Sequence, residues 1–310
     1  EWRDMVDLIW FPTGGGKTEA YLLVAAFVAI LRRLRDPQRG AGTAVLSRYT
    51  LRLLTAQQFL RSCTLFCALE LSRRVDPVRL GATPFEIGLF IGQDSTPNKC
   101  QKALQLLEEG EVTPEVSPFG LRQCPWCGTR LLPDEAGGEH GYHASNSDFF
   151  FSCRNQSCVF ADRLPVQVVD EVMFSKPPTM VLAVVDKFAL LPREPRVGRF
   201  LGSDERFEPL SLIIQDEVHM LGSALGTVFG LYEAAIDVIC RHFSAGRGPK
   251  IVASTATTRD SRRQVANLFG RDVRVFPPPG LTEDDSFFAT AQSTPGRCTW
   301  GFSHHTSALR

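Results

Sequence analysis

Short apolar or β-branched runs alternate with longer segments of helical spacing along most of the chain. The runs that predict strands lie at 6–11, 43–46, 85–91, 180–185, 210–214, 250–253 and 273–276. Segments of helical spacing lie between them, at 18–35, 51–71 and 226–243. Near-continuous apolar strands separated by helices indicate a parallel sheet covered on both faces. The pattern therefore predicts an α/β fold with a doubly wound, mostly parallel sheet.

One stretch, 112–165, interrupts this alternation. It is rich in Pro, Gly, Ser, Asn and Cys and has little helical or strand periodicity. We interpret it as an insertion with too little apolar material for a core of its own, which something else must order. The expected organisation is a first part of the lobe at 1–111, the insertion at 112–165, a second part at 166–280 and a tail or linker at 281–310.

Composition and charge narrow the class of protein only slightly. Hydrophobic residues make up 44% and charged residues 22%, and the formal net charge is +0. A neutral total excludes a global basic field but not a local nucleic-acid-binding surface. No apolar run reaches the roughly 18 residues that a membrane span needs. The nine cysteines are an odd number and no signal peptide is visible, so we expect a reducing, intracellular setting.

A glycine-rich segment follows the first predicted strand and precedes the first predicted helix. It reads Pro12-Thr13-Gly14-Gly15-Gly16-Lys17-Thr18. Glycines allow backbone N–H groups to converge on phosphate oxygens, and the start of the helix adds the positive end of its dipole. Lys17 can then reach the β- and γ-phosphates of ATP, and the Thr18 hydroxyl can bind Mg²⁺. The alternative is a glycine-rich turn that binds nothing.

The first position of the motif departs from the general phosphate-loop pattern. That pattern requires glycine at position 11, where this chain has phenylalanine. The form found here resembles that of the superfamily 2 helicases. The predicted fold is therefore a RecA-like P-loop NTPase lobe with an inserted subdomain.

An acidic tetrapeptide, Asp216-Glu217-Val218-His219, ends the apolar run at 210–214. In doubly wound sheets the carboxyl ends of the strands bind ligands. By analogy with DExH helicases, Asp216 holds Mg²⁺ through water, Glu217 orients the attacking water, and His219 hydrogen-bonds towards a downstream motif or the other lobe. That motif is Ser254-Thr255-Ala256-Thr257, in which Thr255 and Thr257 would link the nucleotide site to nucleic acid. The alternative is that polar residues simply end two strands.

Two further segments occupy the positions of nucleic-acid-binding motifs. Arg48, Thr50 and Arg52 follow the strand at 43–46 and are predicted phosphate contacts. Lys187 follows the strand at 180–185 and is a weaker candidate for the same role. The alternatives are an amphipathic helix with solvated arginines in the first case and an exposed lysine in the second.

Four of the cysteines lie close together in the insertion. Cys124 and Cys127 are separated by two residues, and Cys153 and Cys158 follow after 25 more and are separated by four. Four thiolates form a closed tetrahedral site for structural Zn²⁺, which would supply folding free energy. His140 and His143 are near enough to replace a thiolate. A redox pair and unpaired thiols are the alternatives, and the zinc ribbon could contact DNA, bind a partner or brace the lobe.

Five segments of the sequence together resemble one particular family, and this resemblance is more specific than the general helicase motifs. They are W-F-P-T-G-G-G-K-T-E-A-Y at 10–21, R-Y-T-L-R-L-L-T-A-Q-Q at 48–58, I-I-Q-D-E-V-H-M-L at 213–221, S-T-A-T at 254–257 and F-P-P-P-G-L at 276–281. They resemble the large helicase subunits of the bacterial DISARM anti-phage defence system. The resemblance implies a cytoplasmic, ATP-driven DNA helicase or translocase that works with a smaller partner subunit, DrmB. Val218, Met220 and the run 183–185 depart from the family pattern, and the last departure weakens the case for Lys187.

The motifs found are those of one lobe. ATP in superfamily 2 binds between two RecA-like lobes, and the motifs of a second lobe are not found in the chain. Loss of an arginine finger typically lowers the rate by about 10³–10⁵-fold. We therefore expect the chain alone to hydrolyse little ATP. A P-loop ATPase of another class and a non-catalytic module that binds DNA or a partner are the competing readings.

Overall fold

The computed structural model describes residues 2–10, 16–49, 56–92, 95–110, 112, 117–132, 140–221, 223–255, 261–278, 285–286 and 289–290. The major strands are β1 (Val6–Trp10), β2 (Val45–Tyr49), β3 (Ile87–Phe90), β4 (Tyr142–Ala144), β5 (Phe149–Phe151), β6 (Val166–Gln167), β7 (Met180–Val184), β8 (Leu212–Gln215), β9 (Lys250–Thr255) and β10 (Val273–Phe276). A two-residue pair, β11 (Asp285–Ser286) and β12 (Ala289–Thr290), follows.

Helices connect most of these strands. They are α1 (Lys17–Arg35), α2 (Ala56–Val75), α3 (Pro77–Leu80), α4 (Cys100–Glu108), α5 (Asp170–Ser175), α6 (Ser223–Phe243) and α7 (Ser261–Phe269). Three 3₁₀ helices lie at Val185–Leu190, Pro195–Phe200 and Val218–Met220. No helix in the described part of the chain is both long enough and apolar enough to cross a membrane.

The central sheet has eight strands in the order β10-β1-β9-β8-β2-β7-β3-β6, and every pairing in it is parallel. The central strands are buried along their whole length, as the continuous apolar runs predicted. All seven predicted strands contribute to this sheet, and the predicted α/β fold class is confirmed. The short edge strand β6 was not predicted.

Each face of the sheet carries its own layer of helices. Alternate residues along β2 face opposite layers, with Val45 in one hydrophobic cluster and Leu46 in the other. The first layer contains α1 and α2, through residues such as Tyr21 and Phe66. The second contains α6 and α7, through residues such as Ile236. The two layers place the starts of α1 and α6 at the carboxyl edge of the sheet, where the predicted motifs lie.

The insertion is richer in buried apolar side chains than its composition suggested. Its hairpin, β4 and β5, pairs Tyr142 with Phe151 in antiparallel register. Fully buried side chains in the segment include Phe119, Leu131, Tyr142, Phe149, Phe151 and Phe160, and all belong to the same cluster as α1 and α2. These described side chains belong to the core of the lobe, in keeping with the prediction that the segment has too little apolar material for a core of its own. Its aromatic residues extend the core of the lobe.

Candidate nucleotide site and cysteine cluster

Gly16, the residue directly before α1, has a left-handed backbone. Gly16 has φ +80°, a conformation that residues with a Cβ rarely adopt. Among the described residues, a Cβ at Gly16 would meet only Glu19 Oε2, at 4.0 Å, so the backbone angle is the reason that this position favours glycine. α1 begins directly afterwards at Lys17, which is buried. Thr13, Gly14 and Gly15 lie outside the described residues.

Asp216 follows β8 and is buried, with its carboxylate held from three directions. Oδ2 accepts from the Tyr21 hydroxyl at 2.8 Å, and Oδ1 accepts from the backbone N–H of Glu217 at 3.0 Å. Oδ1 also accepts from the hydroxyl of Ser254, at the end of β9. These donors fix the direction in which the carboxylate faces and satisfy much of its hydrogen-bonding capacity. The sequence motifs contained Ser254 and Tyr21, but neither was selected as a site residue.

Glu217 adopts a backbone conformation that is unusual for a residue with a side chain. Its φ is +48° and its ψ is +49°, the left-handed region, which costs about 1–2 kcal/mol for most residues. The conformation turns the carboxylate toward the start of α1. Glu217 Oε1 lies 3.4 Å from Lys17 Nζ, and Oε2 lies 3.2 Å from His219 Nδ1. The structure thus brings together Lys17 and Glu217, which are 200 residues apart in sequence.

His219 connects this cluster to the neighbouring strand. Its Nδ1 lies 3.5 Å from Thr255 Oγ1, at the end of β9. The turn carrying His219 is held by Gln264 of α7, whose side-chain amide donates to the backbone oxygens of Val218 at 3.1 Å and Leu221 at 3.0 Å. Gln264 was not predicted, because a single glutamine on an amphipathic helix gives no sequence signal. Thr257 lies outside the described residues.

Arg48 is buried within the core and is not available to a phosphate. Its side chain is 1% exposed, and its guanidinium pairs with both carboxylate oxygens of Glu233 in α6, with Nη2 3.0 Å from Oε2. The predicted phosphate contact at Arg48 is therefore replaced by a structural ion pair. Thr50 and Arg52 lie outside the described residues, so their predicted contacts remain predictions.

Lys187 is also enclosed by protein groups. Its Nζ lies 2.7 Å from Asp170 Oδ2, and it donates to the backbone oxygen of Ile91 at 2.6 Å and to Asn98 Oδ1 at 3.0 Å. The ammonium also lies over the Phe90 ring, 4.8 Å from its centroid. Burial raises the pKa of Asp170 to about 6, although the charge of Lys187 opposes this shift. This arrangement contradicts both the predicted phosphate contact of Lys187 and the alternative that Lys187 is an exposed lysine.

The four cysteines of the insertion converge on one point. Their Sγ atoms all lie within 4.8 Å of one another, with 4.0 Å between Cys124 and Cys158 and 3.4 Å between Cys127 and Cys153. These separations are too long for disulfides, whose sulfur atoms are about 2.05 Å apart. They fit four thiolates around one Zn²⁺, because Zn–S distances of about 2.3 Å in a tetrahedron give S···S distances near 3.8 Å. The histidines considered as substitutes are absent from this four-ligand group.

Helix α2 contacts both halves of the cysteine cluster. The Thr64 hydroxyl donates to the backbone oxygen of Pro125, between the first two cysteines, at 2.9 Å. Arg74 donates to the backbone oxygen of Val159, next to the last cysteine, at 2.8 Å and lies 4.8 Å from the centroid of the Phe160 ring. The cluster is therefore anchored on the helix that follows the predicted nucleic-acid-binding segment at 48–52.

The fold and the cluster of motif residues define an α/β lobe with a parallel sheet, at whose carboxyl edge Lys17, Asp216 and Glu217 lie together. Among known proteins, the chain is similar to the DISARM protein DrmA of Bacillus paralicheniformis, with 35% identity over 363 aligned positions. This similarity confirms the family resemblance predicted from the sequence motifs. The alignment covers 99% of this chain and 32% of DrmA, so the chain spans about a third of the length of its relative.

Solved structures give a more distant match. Three crystal structures of the DUF1998 helicase MrfA align with 81% of this chain, at 13–14% identity and a TM-score of 0.31. One is MrfA alone, one is bound to DNA and one is bound to DNA and AMPPNP. The aligned region is 26–29% of MrfA. No family model matches the chain.

Proposed function

We propose that this chain is the ATP-binding first lobe of an ATP-dependent DNA helicase or translocase in bacterial anti-phage defence. The observation that carries the proposal is the convergence of Lys17, Thr18, Asp216 and Glu217 at one edge of the sheet. Tyr21 links Thr18 to Asp216, and Lys17 lies 3.4 Å from Glu217. The similarity to the DISARM protein DrmA supports the role in defence. The proposal extends to a cytoplasmic site of action, a second RecA-like lobe in the longer protein and a DrmB-like partner.

The residues of the cluster supply distinct groups to the proposed reaction. The ammonium of Lys17 would bind the β- and γ-phosphates, displacing Glu217 from its present ion pair. Released from Lys17, the Glu217 carboxylate would accept a hydrogen bond from the attacking water and orient it. His219, 3.2 Å from Glu217 and 3.5 Å from Thr255, would transmit the position of Glu217 to β9.

The donor set at the same edge fits a hard cation. The Thr18 hydroxyl and the Asp216 carboxylate are oxygen donors, the type that Mg²⁺ prefers. Bound Mg²⁺ would neutralise charge that develops on the phosphates. In the insertion, the four cysteine thiolates would hold a structural Zn²⁺ that is closed to catalysis.

The test is ATP hydrolysis by the full-length protein, with and without single- and double-stranded DNA. We expect DNA to stimulate hydrolysis. Lys17→Ala should lower the rate by about 10²–10³-fold, because a cation on the transferring phosphoryl group is lost. Lys102→Ala is the matched control, since Lys102 is exposed on α4 and contacts only Gln105 among the hydrogen bonds that the structure describes.

Two outcomes separate the competing functions. Hydrolysis that is insensitive to Lys17→Ala would contradict the assignment of this site. Binding of DNA or a partner without any hydrolysis would favour a non-catalytic module. We expect the 310-residue chain by itself to hydrolyse ATP only weakly, because it spans about a third of DrmA and the motifs of a second lobe are not found in its sequence.

A further inference from the structure

Tyr21 stands between the two residues assigned to the cation. It lies on α1, three residues after Thr18 and on the same face of the helix. Its side chain is 1% exposed, and its hydroxyl oxygen lies 3.1 Å from Thr18 Oγ1 and 2.8 Å from Asp216 Oδ2. A single buried hydroxyl therefore contacts both proposed cation-binding groups.

The Tyr21 hydroxyl is placed to donate to either neighbour, with Asp216 Oδ2 at 2.8 Å and Thr18 Oγ1 at 3.1 Å. A phenol has only one hydrogen to donate, and an ionised carboxylate can only accept, so the shorter contact to Asp216 takes that hydrogen. The phenolic oxygen then stays next to Thr18 Oγ1 and limits the directions in which the Thr18 hydroxyl can face.

We propose that Tyr21 is a positioning residue of the cation site: its hydroxyl orients Thr18 and Asp216 so that their oxygens face the cation together. The inference rests on the proposed nucleotide function. Tyr21 itself touches neither nucleotide nor cation in this assignment. Its contribution is the preorganisation of the two groups that do.

A comparison with another buried tyrosine separates this role from ordinary core packing. Tyr142 in the insertion is also fully buried, and its hydroxyl donates to the backbone oxygen of Leu121 at 2.7 Å. That contact satisfies a hydroxyl within a core. Tyr21, in contrast, contacts two side chains from two separate motifs, 195 residues apart in the case of Asp216. Tyr142→Phe is thus a matched control for removing one buried hydroxyl.

The experiment measures binding of a fluorescent ADP analogue to the full-length protein while MgCl₂ is titrated, and again in EDTA. For Tyr21→Phe we expect the Mg²⁺ concentration at half-saturation to rise about tenfold, equivalent to about 1.4 kcal/mol of lost interaction. Affinity in EDTA should change less than about twofold. Tyr142→Phe should leave both values at those of the wild type, and thermal unfolding should show that both variants are folded.

A double-mutant cycle with Asp216→Asn tests the mechanism of the effect. If Tyr21 acts through Asp216, Tyr21→Phe should have much less effect on Mg²⁺ dependence in the Asp216→Asn background. Additive effects would overturn the inference. So would an unchanged Mg²⁺ dependence in Tyr21→Phe, or an equal loss of affinity with and without Mg²⁺. A wild-type protein that binds no nucleotide would overturn the proposed function as well, whereas the other outcomes leave that function intact.

Discussion

The guanidinium of Arg48 and the carboxylate of Glu233 form an ion pair in the core, between strand β2 and helix α6. Their side chains are 1% and 5% exposed. β2 contains the start of the predicted nucleic-acid-binding segment, and α6 follows the Asp216-Glu217-Val218-His219 motif. The pair therefore joins two elements that carry different motifs. It also explains how a charged residue fits into a strand that is buried along its whole length.

We expect Arg48→Met to destabilise the protein by about 3–5 kcal/mol, because Glu233 would remain buried without its partner. The double variant Arg48→Met/Glu233→Leu should lose less than the single variant, since no unpaired charge remains. Denaturant unfolding measures both. The control is Arg61→Met, which removes an ion pair with Glu19 whose side chains are 53% and 57% exposed and should cost at most about 1 kcal/mol. Similar losses for Arg48→Met and Arg61→Met would contradict the structural role of Arg48.

The cysteine cluster predicts the zinc content of the protein. Cys153→Ser should lower bound zinc by about one equivalent per chain and lower the thermal unfolding temperature, because a structural site contributes directly to folding free energy. Elemental analysis by mass spectrometry measures the metal. Cys240→Ser is the control: Cys240 is buried in α6 and belongs to the other hydrophobic cluster, so zinc content should not change. Full zinc occupancy in Cys153→Ser would rule out the four-thiolate site.

Much of the sheet could be predicted because its strands are covered on both faces. A strand such as β8 is apolar at nearly every position, and its position in the sheet determines where the motif residues directly after it lie. The hairpin β4–β5 was harder to recognise, since its strands have three residues each and lie among polar residues and cysteines. The aromatic residues of the insertion are spaced irregularly, and only the folded chain shows that they join the main core.

The cluster at the sheet edge was predictable where its residues belong to short local motifs, and side-chain environments were unpredictable where they depend on distant partners. Lys17 and Asp216 sit in local motifs with known strand and helix contexts. The environment of Arg48 depends on Glu233, 185 residues later, and local sequence contains no information about that pairing. Lys187 was misassigned for the same reason, because its neighbours come from three other segments of the chain.

Gly81 is expected to be intolerant of any side chain. Its φ of +84° and ψ of +167° lie in a region essentially reserved for glycine, and a Cβ would approach the backbone oxygen of Pro37 to 2.2 Å. Gly81→Ala should therefore cost at least about 3 kcal/mol in unfolding free energy, combining backbone strain with overpacking. Gly110→Ala is the matched control, because Gly110 has φ +67° but a Cβ there meets no described atom within 4 Å. It should cost about 1 kcal/mol, and equal losses would show that close approach to Pro37 is not the cause.

The buried Asp170 predicts a pH dependence that one substitution should remove. Its pKa is raised from 3.8 to about 6, chiefly by burial, so the folded state favours the protonated carboxyl more than the unfolded state does. The stabilisation from this preference is fully present below pH 4 and is lost as pH rises through about 6. Asp170→Asn removes the titration of this carboxyl. The charge of Lys187, now without its partner, then changes the free energy of unfolding by an amount that does not vary with pH.

The stability of wild type relative to Asp170→Asn should accordingly fall by roughly 2–3 kcal/mol between pH 4 and pH 8. Unfolding free energies of both proteins across that range measure the difference, in which the titration of all other groups cancels. As a control, Asp204→Asn should give a nearly constant difference between pH 4 and pH 8, because the hydrogen bond to Arg206 is the main cause that lowers the pKa of Asp204 below 3.8 and so keeps its titration below this range. A wild-type stability that rises relative to Asp170→Asn over this range would mean that the ion pair with Lys187 outweighs the burial of Asp170.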